Sequence, residues 1–187
     1  MVNILIGCSG SVATIKLPVL VKSLRELQPN TFKDIQIIVV TTERAKHFFN
    51  VEELVGTKLY DDSDEWNAWQ QRGDPVLHID LGKWADVFVI APLDANTLAK
   101  IANGMCDNLL TCVARAWDVS KPLLFCPAMN TRMYTHPLTM GQISLLESWG
   151  YKLVPVVNKT LMCGEVGDGG MAEVPTIIEF VLNCKLV

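Results

Sequence analysis

The chain has 187 residues, a formal net charge of −4, and 50% hydrophobic against 19% charged residues. That balance excludes disorder and suits one domain, and a chain of this length buries about 70% of its unfolded surface, enough for a core without staples. The acidic balance with no basic run excludes a nucleic-acid groove, and no apolar run reaches the ~20 residues of a membrane span. Met1-Val2-Asn3 leads straight into an apolar strand, without signal-peptide character. Cys8, Cys106, Cys112, Cys126, Cys163 and Cys184 form no C-x-x-C pair, and no histidine stands near one at zinc spacing. Free thiols, no metal site and a reducing, cytoplasmic compartment are therefore expected.

Val2–Ile6 is a short apolar run stopped by Gly7-Cys8-Ser9-Gly10-Ser11, which predicts a buried strand entering a Gly/Ser turn. Val12 to Leu27 has helical spacing with Ile15, Val19 and Leu20 on one side, and Pro18 predicts a kink or a late helix start. Further strands are expected at Ile35–Val40, Val87–Ala91, Leu123–Cys126 and Leu153–Val157. Helices are expected at Glu43–Phe49, Asn96–Ala102, Asn108–Trp117, Thr139–Trp149 and Thr176–Leu182. Asp61-Asp62-Ser63-Asp64-Glu65 reads as a solvated loop capping a helix that carries Trp66 and Trp69. Continuous apolar strands alternating with helices predict an α/β fold: one domain over 1–187, a doubly wound parallel sheet of flavodoxin or Rossmann type, with helices on both faces.

Such sheets bind ligands at the carboxyl ends of their strands. After the first strand, Gly7 to Val12 offers small residues and backbone N–H groups to an anion, but the spacing is not G-x-G-x-x-G, and a plain tight turn fits as well. The second strand ends in Thr41-Thr42, with no acid for a ribose, which favours a mononucleotide such as FMN over NAD. The third strand leads into Pro92-Leu93-Asp94-Ala95-Asn96-Thr97, where Asn96 or Thr97 is equally an N-cap. The fourth leads into Pro127-Ala128-Met129-Asn130, where Asn130 serves either a turn or a ligand. Cys163 to Met171 holds four glycines and one thiol, the composition of a flexible lid near 160–173. In Val76-Leu77-His78-Ile79-Asp80-Leu81, alternation with apolar residues places His78 and Asp80 on one side, and a lone histidine there is also a common core residue. His47 and His136 read as surface or helix-end residues.

These stretches together resemble one family. Pro-Ala-Met-Asn-x-x-Met-aromatic, Ala-Pro-Leu-x-Ala-Asn-Thr-Leu-x-Lys-Ile-Ala, Cys-Asp-Asn-Leu-Leu-Thr-Cys and Cys-Gly-x-x-Gly-x-Gly-x-Met-Ala-Glu occur in the order found in the homo-oligomeric flavin-containing cysteine decarboxylases. From Val2 to Val181 the chain is most similar to the monofunctional eukaryotic phosphopantothenoylcysteine decarboxylases. The resemblance implies FMN-dependent conversion of 4′-phospho-N-pantothenoylcysteine to 4′-phosphopantetheine and CO2 in coenzyme A biosynthesis. The implied route oxidises the cysteine thiol to a thioaldehyde, releases CO2 and re-reduces the enethiol. By the same resemblance His78, Asn130 and Cys163 are catalytic, while Gly10, Ser11, Val12, Thr42, Glu43, Arg44, Asp94, Ala95, Asn96, Thr97 and Ala128 hold FMN. Asp107 and Arg115 fall in motifs near the flavin and the subunit contact, and a homotrimer with FMN at the subunit interface is implied. Tyr134 stands where tryptophan is usual, and Thr42-Glu43-Arg44 where some relatives are serine-rich. Alternatives from the same fold are a flavoprotein acting on another cysteine substrate, a flavin prenyltransferase, and a non-catalytic regulatory relative. His78 with Cys163 argues against the prenyltransferases, and His78, Asn130 and Cys163 in one chain, without an acidic tail, argue against the regulatory form.

Overall fold

Strand β1 (Val2–Cys8) sends Ile4 and Ile6 into one apolar core and Leu5 into the other, as the two-residue period of a strand requires. Strands β2 (Ile35–Thr41), β3 (Lys58–Tyr60), β4 (Val87–Leu93), β5 (Leu123–Pro127) and β6 (Lys152–Leu153) join it in a parallel sheet ordered β3-β2-β1-β4-β5-β6. The computed structural model describes residues 1–27, 34–162 and 164–184. On one face of the sheet lie helix α1 (Leu17–Glu26), through Leu17, Leu20 and Leu24, and helix α8 (Val174–Leu182), through Ile177 and Val181. Beneath the other lie α3 (Leu77–Trp84), α4 (Ala95–Ala102), α5 (Leu109–Arg115) and α7 (Pro137–Ser148), contributing Leu81, Leu98, Leu110, Val113, Ile143 and Leu146. The expected doubly wound sheet is present, and its strand order is of the Rossmann type. The order reverses between β1 and β4, so a crevice opens where Cys8 and Leu93 end their strands.

The differences from expectation have local causes. Pro18 does delay helix α1, and Val12–Lys16 forms a 3-10 turn before it. The buried stripe is Leu17, Leu20, Val21 and Leu24, however, while Ile15 and Val19 are exposed. The segment Glu43–Phe49 supports only a 3-10 turn, Ala45–Phe48, with Ala45 as its one buried residue. The strand expected at Leu153–Val157 is cut to Lys152–Leu153, ahead of Pro155, a residue with no N–H to give a ladder. Beyond it β7 (Val157–Thr160) pairs antiparallel with β8 (Val166–Gly170), so regular structure runs into the glycine-rich segment. The acidic cluster is helical rather than a loop: Asp61 caps α2 (Asp62–Ala68) in a capping box with Asp64.

Candidate active site

Ser9 locks the crevice. It is fully buried, its Oγ donates to the Pro92 carbonyl at 3.0 Å and accepts from the Asp94 N–H at 2.8 Å, and its carbonyl accepts from Thr14 Oγ1 at 2.9 Å. The serine that breaks the dinucleotide pattern thus ties the ends of β1 and β4 together. Asp94, not Asn96 or Thr97, caps α4, accepting from the Thr97 N–H at 2.8 Å. That bond satisfies one of the free N–H groups of the first turn of α4.

Two cavities flank the first loop. The smaller, about 210 Å3, is polar and meets Gly10, the second-loop residues Thr42, Glu43 and Arg44, and Asp94, Asn96, Thr97 and Asp107. A side chain at Gly10 would come within 2.8 Å of Arg44 Cβ, so glycine lets the two loops close on each other. Lys100, at the same cavity, is bound by Asp107 at 2.7 Å, which holds the Asp107 carboxyl below its usual range. The larger cavity, about 400 Å3, is mostly apolar and is lined by Ser11, Val12, Ile15, Ala128, Met129, Asn130 and Met171, with Lys16 and Lys159 at its edge. Both lysines pair with Glu173, at 2.6 and 3.3 Å; sequence reasoning missed them because the partner is 157 and 14 residues away. Ala95 lines neither cavity. Arg115 lines a separate hollow with Trp117, Trp149 and Tyr151.

A phosphorylated flavin fits these residues. Thr42 Oγ1 is buried and has no hydrogen-bond partner in the protein, while Thr41 gives its hydroxyl to the Thr42 carbonyl at 3.1 Å. A buried hydroxyl facing no protein group suits a ligand oxygen. The polar small cavity and the apolar large one also match the two ends of such a cofactor.

Asn130 follows β5 and caps α6 (Thr131–Tyr134), its Oδ1 accepting from the Arg132 N–H at 2.8 Å. That bond orients the amide, so Nδ2 becomes the outward donor, and it donates to Glu165 Oε2 at 3.3 Å. The β7–β8 hairpin reaches this loop closely: the Met129 N–H donates to the Gly169 carbonyl at 2.9 Å. Gly169 has φ +120, and a Cβ there would strike the Met129 carbonyl oxygen. Gly167 would meet Thr131 Oγ1 at 2.5 Å in the same way.

His78 sits in the first turn of α3, a helix rather than an alternating strand. Two residues in a helix turn about 200°, so Asp80 is exposed, while His78 lies on the side of buried Leu81 and Gly82. His78 Nδ1 is 2.6 Å from Glu65 Oε1. It lines neither of these two cavities. Cys163 lies outside the described residues. Burial pushes the Cys8 thiol up to about 12 and Cys126 higher still, which leaves both as inert core groups. His47 is exposed, and His136 caps α7, as a helix-end residue should. Among the described residues no cluster could hold a metal ion, and no helix is long and apolar enough to cross a membrane.

Comparison with known proteins places this geometry. The family model described as Flavoprotein matches residues 1–185. The chain is 57% identical to phosphopantothenoylcysteine decarboxylase of Mus musculus, over 94% of this chain and 83% of that protein. It is 48% identical to the enzyme of that name from Oryza sativa subsp. japonica, over 98% and 81%. A solved PPC decarboxylase, a cysteine-to-serine mutant complexed with pantothenoylaminoethenethiol, superposes with a TM-score of 0.91 at 46% identity, covering 96% of both chains. The FMN-binding protein AtHal3 superposes at 0.87 with 47% identity, covering 96% of this chain and 94% of that one. With a switch-point crevice, an orphaned hydroxyl for a flavin and these relatives, the chain belongs to the Flavoprotein family, among its phosphopantothenoylcysteine decarboxylases.

Proposed function

We propose that the chain, with FMN bound, decarboxylates 4′-phospho-N-pantothenoylcysteine to 4′-phosphopantetheine, a carboxy-lyase step of coenzyme A biosynthesis. The observation that carries this reading is the Asn130 amide, fixed by its capping bond so that its NH2 faces a carboxylate at the edge of the large cavity. An amide so held binds the substrate carboxylate without adding charge and can release it as neutral CO2. When bound, the flavin supplies a reversible two-electron sink, so the cysteine side chain is oxidised before CO2 leaves and reduced afterwards, with no net redox change. His78 takes the thiol proton in the first half, and Cys163 returns a proton to the enethiol in the second. Lys16 and Lys159 offer two ammonium groups at the cavity edge to the substrate phosphate.

FMN rather than NAD follows from β2 ending in Thr41 and Thr42 without an acid for a ribose. Gly10, Thr42 and Arg44 would hold its phosphate end, and Ser11, Val12 and Ala128 would line its path into the large cavity. The working unit is read as a homotrimer with the flavin at the subunit contact. His78 lines neither cavity of its own chain, which supports a site completed by a neighbouring copy. The cytoplasm is the compartment this reading favours, because Cys8, Cys106, Cys112, Cys126 and Cys184 are free thiols. The cofactor assignment is tested by heat release from the purified protein: FMN is expected, and FAD or a nicotinamide overturns it.

A further inference from the structure

Helix α2 is anchored at three points. Asp61 closes its capping box, Lys46 Nζ lies 2.5 Å from Asp61 Oδ2, and Asp62 Oδ1 accepts the N–H of Leu109 at the start of α5 at 2.7 Å. Glu65 stands three residues after Asp62, on the same side of the helix. The side chains of Glu65 and His78 are 15% and 26% exposed, and Glu65 Oε1 lies 2.6 Å from His78 Nδ1. Glu65 Oε2 is buried without a hydrogen-bond partner. Negative charge is felt nearby: burial first, then Cys106, Glu65 and Asp62 push the Cys112 thiol up to about 11.

A carboxylate only accepts, so a 2.6 Å contact with Nδ1 requires the hydrogen on Nδ1. In the neutral ring the other nitrogen then carries the lone pair. A buried carboxylate with one oxygen left unpartnered is a costly way to pack a helix. Among the described residues the hydrogen-bond partner of the Glu65 carboxylate is the histidine ring. We propose that Glu65 is the positioning residue of His78, fixing the Nδ1–H tautomer so that Nε2 accepts the substrate thiol proton. The S–H bond breaks and an Nε2–H bond forms, and Glu65 faces the resulting imidazolium; a bound flavin would supply the acceptor for the hydride that the neighbouring carbon gives up as its C=S bond forms. This rests on the reading of His78 as the base.

The test uses the flavin-loaded protein with 15N-labelled histidine in mildly alkaline buffer. With only three histidines, the His78 signals are assigned by their loss in His78→Asn. Wild type is expected to show the Nδ1–H tautomer, whereas an Nε2–H tautomer there overturns the proposal before any variant is made. Glu65→Gln, whose amide can also donate to Nδ1, should populate Nε2–H and lower kcat roughly 10- to 100-fold, less than the ~100- to 10,000-fold that the acid–base group itself supplies. KM should change less than about twofold, since no substrate contact is removed, and Glu65→Asp should restore part of both signals. Unchanged turnover in Glu65→Gln, or a loss without a change of tautomer, overturns the proposal. Full turnover in His78→Asn instead sinks the reading of His78 as the base, while leaving the tautomer measurement able to stand.

Discussion

Asn130 is a cap and a donor at once, and the two roles are linked. Because the Arg132 N–H holds Oδ1, the amide cannot flip, and Nδ2 stays turned toward a carboxylate. Asn130→Asp keeps the acceptor that caps α6 but puts negative charge where the donor was. We expect flavin content and fold to be retained while turnover falls by at least ~100-fold, checked by absorbance and CO2 release; near-normal turnover removes Asn130 from the site. Cys163→Ser should separate the two halves of the reaction. A hydroxyl is a poorer acid than a thiol, so CO2 should still be released and a product two hydrogens lighter than 4′-phosphopantetheine should accumulate, visible by mass spectrometry. Normal product excludes Cys163 as the donor, and no CO2 at all assigns it an earlier role. Both residues were legible as letters in unusual contexts, an amide after a strand and a thiol among glycines. Ser9, Asp94 and Glu65 were less so, because their partners, Pro92, Ser9 and His78, lie far along the chain or on another element.

At the scale of elements, the apolar runs of β1, β2, β4 and β5 were readable because buried parallel strands need no alternation. Lys58–Tyr60 was too short and too exposed to stand out. The α3 segment misled because Leu77, Ile79 and Leu81 alternate as in a strand, yet Leu77 and Leu81 also fit a helix at i and i+4. The β7–β8 hairpin was hidden by its glycines, which signal turns but here allow backbone to meet backbone. Gly169 is the most constrained of them, with φ +120 and no room beside the Met129 carbonyl. Gly169→Ala should lower stability by about 2 kcal/mol, measured by urea unfolding, and should weaken turnover more than flavin binding as the hairpin lifts from the Asn130 loop. A variant as stable and active as wild type would show that the docking of the hairpin on this loop is not needed.

For the whole molecule, the doubly wound sheet and its switch-point crevice were legible in the alternation of strands and helices. The position of His78 outside both cavities was not, since it depends on how α3 packs rather than on the letters around it. If the site spans two copies of a trimer, co-expressed His78→Asn and Asn130→Asp chains should regain about a third of the wild-type sites in doubly tagged trimers, one interface of each mixed ring, read as CO2 release; no recovery places both groups in one chain. The central claim, redox-neutral decarboxylation by a flavin-bound chain, is met most directly by mixing the purified yellow protein with 4′-phospho-N-pantothenoylcysteine, without added oxidant or reductant, and following the product by mass spectrometry. The account predicts repeated turnover to a product lighter by one CO2, identical to 4′-phosphopantetheine, with the flavin absorbance unchanged at the end. Unaltered substrate, or turnover that stops after one equivalent with the flavin left bleached, would contradict it.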